Sequence, residues 1–257
     1  MNILQNNELQ SSPFRFPDKG KNEVRGGYGY QAIILAGGLG TRLRSVVSDL
    51  PKCMAPVAGK PFLYFVIEHL LKQGIGKFIF SVGYKSEMII EYINEQYPMI
   101  NAQFSIEEEP LGTGGAVKLA CILATEKNVL ILNGDTLFTI DAEKLSGFHN
   151  ACGADCTLSL KPMQNFSRYG VVELNNDHTI ASFKEKQHYE SGLINGGVYA
   201  LNVAGFLKEE LPQKFSFEKD YLEQYFDKRK MYGLIQDEYF IDIGIPEDFE
   251  KAQQELA

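Results

Sequence analysis

The chain has 257 residues, with 25 Lys plus Arg against 33 Asp plus Glu, a formal net charge of −8. That length suits one large α/β domain with a sizeable core. The acidic balance provides no basic face and argues against nucleic acid as a partner, although a nucleotide pocket needs only a few local cations. No apolar run approaches the ~18 residues of a membrane span, and the N-terminus lacks the apolar core of a signal peptide. Cys53, Cys121, Cys152 and Cys156 have no zinc-like spacing and read as reduced thiols. No membrane partner is expected, and the expected compartment is the cytoplasm.

Residues 1–30 are polar, without a sustained period, and read as an extension that is poorly ordered or packed on the surface through Phe14 and Phe16. From residue 31 strand and helix patterns alternate. Residues 32–36 are continuously apolar and run into Gly37, Gly38 and Gly40, the pattern of a buried parallel strand entering a glycine-rich turn. Helices are predicted over 61–72, where Pro61 suits a first turn, and over 86–97. Strands are predicted over 77–82, 102–106 and 129–132, the last ending at Asn133-Gly134-Asp135. This order predicts a Rossmann-like doubly wound, mostly parallel mixed sheet with ligands at the carboxyl ends of its strands. Beyond about residue 150 the texture changes to the segments 156–161, 171–174, 180–186 and 194–201, with Asn175-Asn176-Asp177 as a hairpin turn. That half reads as a small mixed-sheet lobe on the same core. Helices are predicted over 218–230 and 246–255.

The glycines at 37, 38 and 40 let the backbone approach a ligand where a Cβ would clash, and successive N–H groups in such a loop cradle an anion. Arg42 and Lys52 place two cations toward it, so the loop reads as a nucleotide-phosphate cradle. Two commoner phosphate loops are excluded. A P-loop fails because Pro61 follows Gly59-Lys60, and a dinucleotide fingerprint fails because Leu43 holds its last position. Asp135 and Asp242, the latter in Tyr239-Phe-Ile-Asp-Ile-Gly-Ile-Pro246, each sit beside an apolar strand. Hard carboxylate oxygens from two strand ends can converge on one Mg²⁺, whereas either aspartate alone is equally a turn or cap residue. Leu111-Gly-Thr-Gly-Gly115 opens an apolar helix with a backbone suited to a flat base. The acids 107–109 precede it. A carboxylate accepts guanine N1–H and N2–H together, while uracil and thymine offer only N3–H, so GTP is the expected nucleotide. The plain alternative is an acidic run facing solvent.

Leu35-Ala-Gly-Gly-Leu-Gly-Thr-Arg-Leu43, followed by Pro51-Lys52 and Lys60-Pro61, resembles the signature of sugar-phosphate nucleotidyltransferases, which join an NTP to a sugar 1-phosphate and release pyrophosphate. The resemblance runs from residue 31 to the C-terminus and leaves 1–30 out of account. It implies the nucleotidyltransferase fold, with an NTP-binding half over about 31–150 and a sugar-binding half over about 151–257. It makes Arg42, Lys52, Asp135 and Asp242 catalytic, with the two aspartates as Mg²⁺ ligands. It gives the nucleotide to Leu35, Ala36, Gly37, Gly38, Gly40, Thr41, Glu107, Glu109, Gly112, Thr113 and Gly114. Arg168-Tyr169-Gly170, Glu185-Lys186 and Asn195-Gly196-Gly197 resemble the family's sugar-phosphate segments. Gly170, Glu185, Lys186 and Asn195 are thereby assigned to the sugar phosphate, with Lys186 on its phosphate and Glu185 and Asn195 on hydroxyls. Gln187 stands where the family has proline.

Ser45-Val-Val-Ser-Asp-Leu-Pro-Lys52 and Glu109-Pro-Leu-Gly-Thr-Gly-Gly115 resemble the branch that takes GTP and a heptose 1-phosphate in surface-glycan biosynthesis. Mannose 1-phosphate, or another hexose 1-phosphate with a uridylyl or thymidylyl donor, is the enzymatic alternative. A nucleotide- or sugar-sensing subunit is the non-catalytic one. The oligomeric state is left open. No general base is required, because a phosphate monoester is already anionic at neutral pH; His69, His149, His178 and His188 are expected to be structural or surface residues.

Overall fold

In order, the chain forms β1 (Gln31–Leu35), the hairpin β2 (Pro56–Val57) and β3 (Lys60–Pro61), α1 (Phe62–Lys72), β4 (Lys77–Val82), α2 (Ser86–Gln96) and β5 (Asn101–Ile106). It continues with α3 (Gly112–Cys121), β6 (Asn128–Asn133), β7 (Thr136–Phe138) and α4 (Ala142–Cys152). The second half adds β8 (Cys156–Phe166), β9 (Val171–Leu174), β10 (Ile180–Lys184), β11 (Tyr189–Asn202) and α5 (Val203–Leu207). A π-helical stretch, Phe217–Leu222, then leads through α6 (Glu223–Tyr225) to β12 (Met231–Ile235), β13 (Phe240–Asp242) and α7 (Pro246–Glu255). The computed structural model describes residues 30–38 and 49–257.

Strands β5, β4, β1 and β6 lie side by side and parallel, and β11 joins β6 antiparallel. On the far side of β11, β8 pairs antiparallel, and β12 then pairs parallel with β8. The β9–β10 hairpin meets β11 at Ile194. Strands from both halves of the chain therefore share one sheet. The strand order reverses between β1 and β6, the place where such sheets open a crevice at their carboxyl ends. Leu35 is in register with Asn133, so the glycine loop and Asn133-Gly134-Asp135 leave the sheet side by side. Gly134 is required there. Its N–H bonds the Leu35 carbonyl at 2.8 Å, and a Cβ on it would sit 2.8 Å from that same oxygen.

β1 reads as an unbroken apolar run because both its faces are covered. Ala32 and Ile34 enter a core with Leu63, Val66 and Leu70 of α1, Ile89 and Ile93 of α2, Leu145 of α4 and Phe249 of α7. Ile33 faces the other way, onto Val117 and Ala120 of α3 with Phe206, Phe217 and Tyr221. Each fully buried Val, Leu, Ile or Phe among them contributes about 1.5–3 kcal/mol.

The predicted strands and helices before residue 150 all form within a residue or two of the expected limits, as do the Asn175 turn and α7. The helix expected over 218–230 does not run through. Phe217, Tyr221 and Leu222 all reach the core, in a widened π geometry. Asp155 then accepts the Lys230 N–H at 3.1 Å and donates its own N–H to the Lys230 carbonyl at 2.9 Å, which draws the chain into β12. The short strands β2, β3 and β7, and β12 after the shortened helix, are not foreseen, whereas the apolar strand expected beside Asp242 forms as β13.

Candidate functional site

Lys52 stands in a single 3₁₀ turn (Lys52–Met54) set by Pro51, whose carbonyl accepts the Met54 N–H at 2.8 Å. Cys53, buried beneath it, has its thiol pushed up to about 12 by burial and then by Asp135. The turn directs the Lys52 ammonium to the carboxyl ends of β1 and β6. There it pairs with Asp135 Oδ2 and lies 3.6 Å from Asp242 Oδ1.

The two aspartates meet because β7 and β13 form a separate two-stranded antiparallel ribbon. In it Thr136 is opposite Asp242, and the Ile243 N–H bonds the Asp135 carbonyl at 3.1 Å. Asp242 Oδ1 is held by the Gly244 N–H at 2.8 Å. A Cβ on Gly244 would come 2.9 Å from that oxygen and 3.3 Å from the Lys52 ammonium, so glycine keeps the approach open. Burial, and then the charge of Asp135, hold the Asp242 carboxyl above its usual range, while Lys52, the Gly244 N–H and Arg168 oppose the rise.

Arg168 adds a second cation that motif reading gave only to a sugar-phosphate segment. Its guanidinium bonds Asp248 in the first turn of α7 and stands 3.7 Å from Asp242 Oδ2. The turn leading to Gly170 is thus anchored at the acid cluster. Gly170 packs against the Lys184 carbonyl, which a Cβ would approach to 2.4 Å, so the Glu185-Lys186 loop begins beside it. Glu185 and Lys186 are exposed, and Lys186 makes no ion pair among the described residues. Asn195-Gly196-Gly197 lies against the end of β6. A Cβ on Gly197 would be 2.7 Å from Asn133 Nδ2, two residues before Asp135.

Between Gly37 and the start of α3, Glu107 turns inward. Its Oε2 accepts the Leu111 N–H at 3.0 Å, its Oε1 accepts from Ser81 Oγ at 3.4 Å, and a Cβ on Gly37 would be 2.8 Å from Oε1. It shapes the junction of two loops, whereas Glu109 is exposed. The glycines of α3 admit the protein's own segment. A Cβ on Gly112 would meet the Phe215 carbonyl at 2.5 Å, one on Gly114 the Phe215 ring at 2.1 Å, and one on Gly115 the Gln213 carbonyl at 2.4 Å. Sequence reasoning missed this packing because nothing local links residues 112 and 215. Leu35, Ala36 and Gly38 lie on the crevice strand and its exit; Gly40, Thr41 and Arg42 fall outside the described residues, as does the extension before Tyr30.

A model of the family described as Nucleotidyl transferase matches residues 31–257. The chain belongs to the nucleotidyl transferase family.

Among its relatives, a D-glycero-alpha-D-manno-heptose 1-phosphate guanylyltransferase of Aneurinibacillus thermoaerophilus is 56% identical over 226 residues, covering 88% of this chain and 98% of that protein. A protein of the same description from Campylobacter jejuni is 47% identical over 219 residues, covering 85% and 96%. The structure of HddC from Yersinia pseudotuberculosis complexed with GMP-PN superposes with a TM-score of 0.79 at 39% identity, over 89% of this chain and all of that one. Among the described residues of this nucleotidyl transferase, no helix is long and apolar enough to cross a membrane, and no three His, Cys, Asp or Glu side chains form a metal-binding group.

Proposed function

We propose that this chain is a guanylyltransferase that joins GTP to D-glycero-D-manno-heptose 1-phosphate, giving the GDP-sugar and pyrophosphate. The observation that carries the reading is the convergence of Asp135 and Asp242 about the Lys52 ammonium, at the crevice beside the glycine loop. Two relatives described as acting on that sugar phosphate, at 56% and 47% identity, support the choice of substrate.

Two mutually repelling carboxylates sharing one cationic position suit a divalent ion, and Mg²⁺ favours one or two carboxylates completed by phosphate oxygens. Asp135 and Asp242 would hold it, and when bound it supplies charge neutralisation at the reacting phosphates. The chain's residues account for the remainder. An oxygen of the sugar 1-phosphate attacks the α-phosphorus in line. The new P–O bond forms as the α–β bridging bond breaks, and pyrophosphate leaves with the bond's electron pair. Lys52, with Arg42, opposes the charge growing on that leaving group, the kind of electrostatic stabilisation on which phosphoryl transfer mainly depends. Leu35, Ala36, Gly37, Gly38, Gly40 and Thr41 would line the phosphates. The Gly112-Thr113 turn and Glu109 would meet the base, with Gly114 admitting Phe215 behind them and Glu107 setting their loop. Gly170, Glu185, Lys186 and Asn195 would hold the sugar phosphate. The NTP half would span about 31–150 and the sugar half about 151–257, in the cytoplasm, with 1–30 as an appendage.

Pyrophosphate release and product mass, measured with GTP, UTP and dTTP against heptose and mannose 1-phosphates, test this. The heptose–GTP pair should be used fastest. Faster use of UTP or dTTP defeats the guanine assignment, faster use of mannose 1-phosphate defeats the heptose assignment, and inactivity with every pair defeats the enzyme.

A further inference from the structure

The nucleotide side and the sugar side of the cleft are linked by one carboxylate that no part of the reaction uses. Glu218 Oε2 accepts from Thr113 Oγ1 at 3.0 Å and from Ser216 Oγ at 3.2 Å, and its Oε1 accepts from Tyr199 Oη at 3.4 Å. Tyr199 Oη is in turn 2.9 Å from Asn195 Nδ2, and Asn195 Oδ1 accepts the Gly197 N–H at 3.0 Å. Thr113 Oγ1 accepts the Phe217 N–H at 2.9 Å, which ties the start of α3 to the same segment.

The directions of these bonds follow from chemistry. An ionised carboxylate only accepts, so Tyr199 must spend its single proton on Glu218 and can then only accept from Asn195. That fixes the Asn195 amide with its nitrogen toward Tyr199 and its oxygen toward Gly197. One N–H and one lone pair of the amide remain unspent. Tyr199 is 1% exposed, so water does not readily replace either partner, and a broken contact leaves a buried polar group unpaired. The segment is also locked from behind, because Gly114 N–H bonds the Phe215 carbonyl at 3.0 Å and Phe215 N–H the Leu111 carbonyl at 3.0 Å.

We infer that Glu218 is a positioning residue for both substrates: through Tyr199 it orients Asn195 toward the sugar phosphate, and through Thr113 it seats the start of α3 toward the nucleotide. The inference rests on the substrate assignments of Asn195 and Thr113 made above.

The test measures KM for GTP and for D-glycero-D-manno-heptose 1-phosphate separately, with Tm, on the full chain and its variants. Y199F, almost isosteric, should raise the sugar-phosphate KM about fivefold to tenfold and leave the GTP KM within twofold, because one hydrogen bond is worth about 1 kcal/mol. T113V should do the converse. E218Q should raise both, since its amide can donate to Tyr199 and reverse the chain of donors. A merely structural role would lower Tm without separating the two KM values. If E218Q does not fold, the opposed KM changes of Y199F and T113V still decide. Wild-type KM values in folded E218Q or Y199F overturn the inference. An N195A enzyme with a wild-type sugar KM overturns it through its premise, whereas a wild-type chain inactive with every sugar 1-phosphate overturns the functional reading itself.

Discussion

Ile243 donates its backbone N–H to the carbonyl of Asp135, and through that bond two aspartates from opposite halves of the chain come to share one lysine. A ribbon of three residue pairs, Thr136–Phe138 against Phe240–Asp242, therefore sets the spacing of the charge cluster, with the Phe138–Phe240 edge contact at 5.7 Å behind it. D135N and D242N should each lower kcat/KM by on the order of 10²-fold or more, as loss of one preorganised charged group does elsewhere. Mn²⁺ binding followed by its paramagnetic effect on water relaxation should weaken in both. A D242N enzyme with wild-type turnover and metal affinity would remove the aspartates from the chemistry.

Lys52 is about one-eighth exposed, and its partners are a quarter to a third exposed, so this cluster is neither a surface pair nor a dry one. K52M should abolish most activity and, without bound metal, also destabilise the fold by about 1–2 kcal/mol, a discounted share of the 3–5 kcal/mol seen for fully buried pairs. Adding D242N to K52M should restore part of that stability, because it removes the carboxylate left facing Asp135. Chemical denaturation of the two single variants and the double variant reads the coupling; strictly additive values would mean that the lysine does not neutralise the pair.

The crevice was legible in the sequence because its determinants are local: the apolar run before Gly37, the glycines after it and the strand ending at Asp135. The meeting of Asp135 with Asp242 was legible only as a possibility of convergence, since β7 and β13 are three residues each and too short to carry a period. The role of Arg168 beside Asp242 was hidden because the guanidinium reaches from the turn before β9 to residues more than seventy positions later, at the end of β13 and the start of α7, and only folding brings them together. The spacing of the glycines at 112, 114 and 115 suggests a backbone suited to a flat base. Their nearest occupant is the segment 213–215, a tertiary requirement with no trace in spacing.

That packing makes Gly114→Ala informative. The added methyl would overlap the Phe215 ring, and small-to-large changes in a packed site cost about 1–3 kcal/mol. G114A should lower Tm and raise the GTP KM together, because the start of α3 must shift to admit the methyl. In a G114A/F215L double variant the smaller side chain should return part of the stability and of the GTP KM. Differential scanning calorimetry with GTP titrations checks both; if the double variant is as impaired as the sum of the single ones, the ring is not the obstacle.

His149 offers a pH test remote from the chemistry. It is 1% exposed, its Nδ1 lies 3.0 Å from Thr157 Oγ1, and its Nε2 is buried with no hydrogen-bond partner. Burial pushes its pKa down to about 4, with Asp155 opposing the shift and Lys127 reinforcing it. The folded value is depressed below the unfolded ~6.5, so the unfolded chain takes up the proton first as pH falls. Its contribution is therefore constant above about pH 6.5, declines as the pH drops toward 4, and levels off below that. Over that window the wild type should lose on the order of 3 kcal/mol more than H149Q, which keeps a polar side chain but cannot titrate. Urea unfolding at pH 7 and pH 4.5 isolates the effect, because the carboxylates titrating in the same range are common to both proteins. Parallel pH profiles for the two would show that His149 takes up its proton in the folded chain as readily as in the unfolded one.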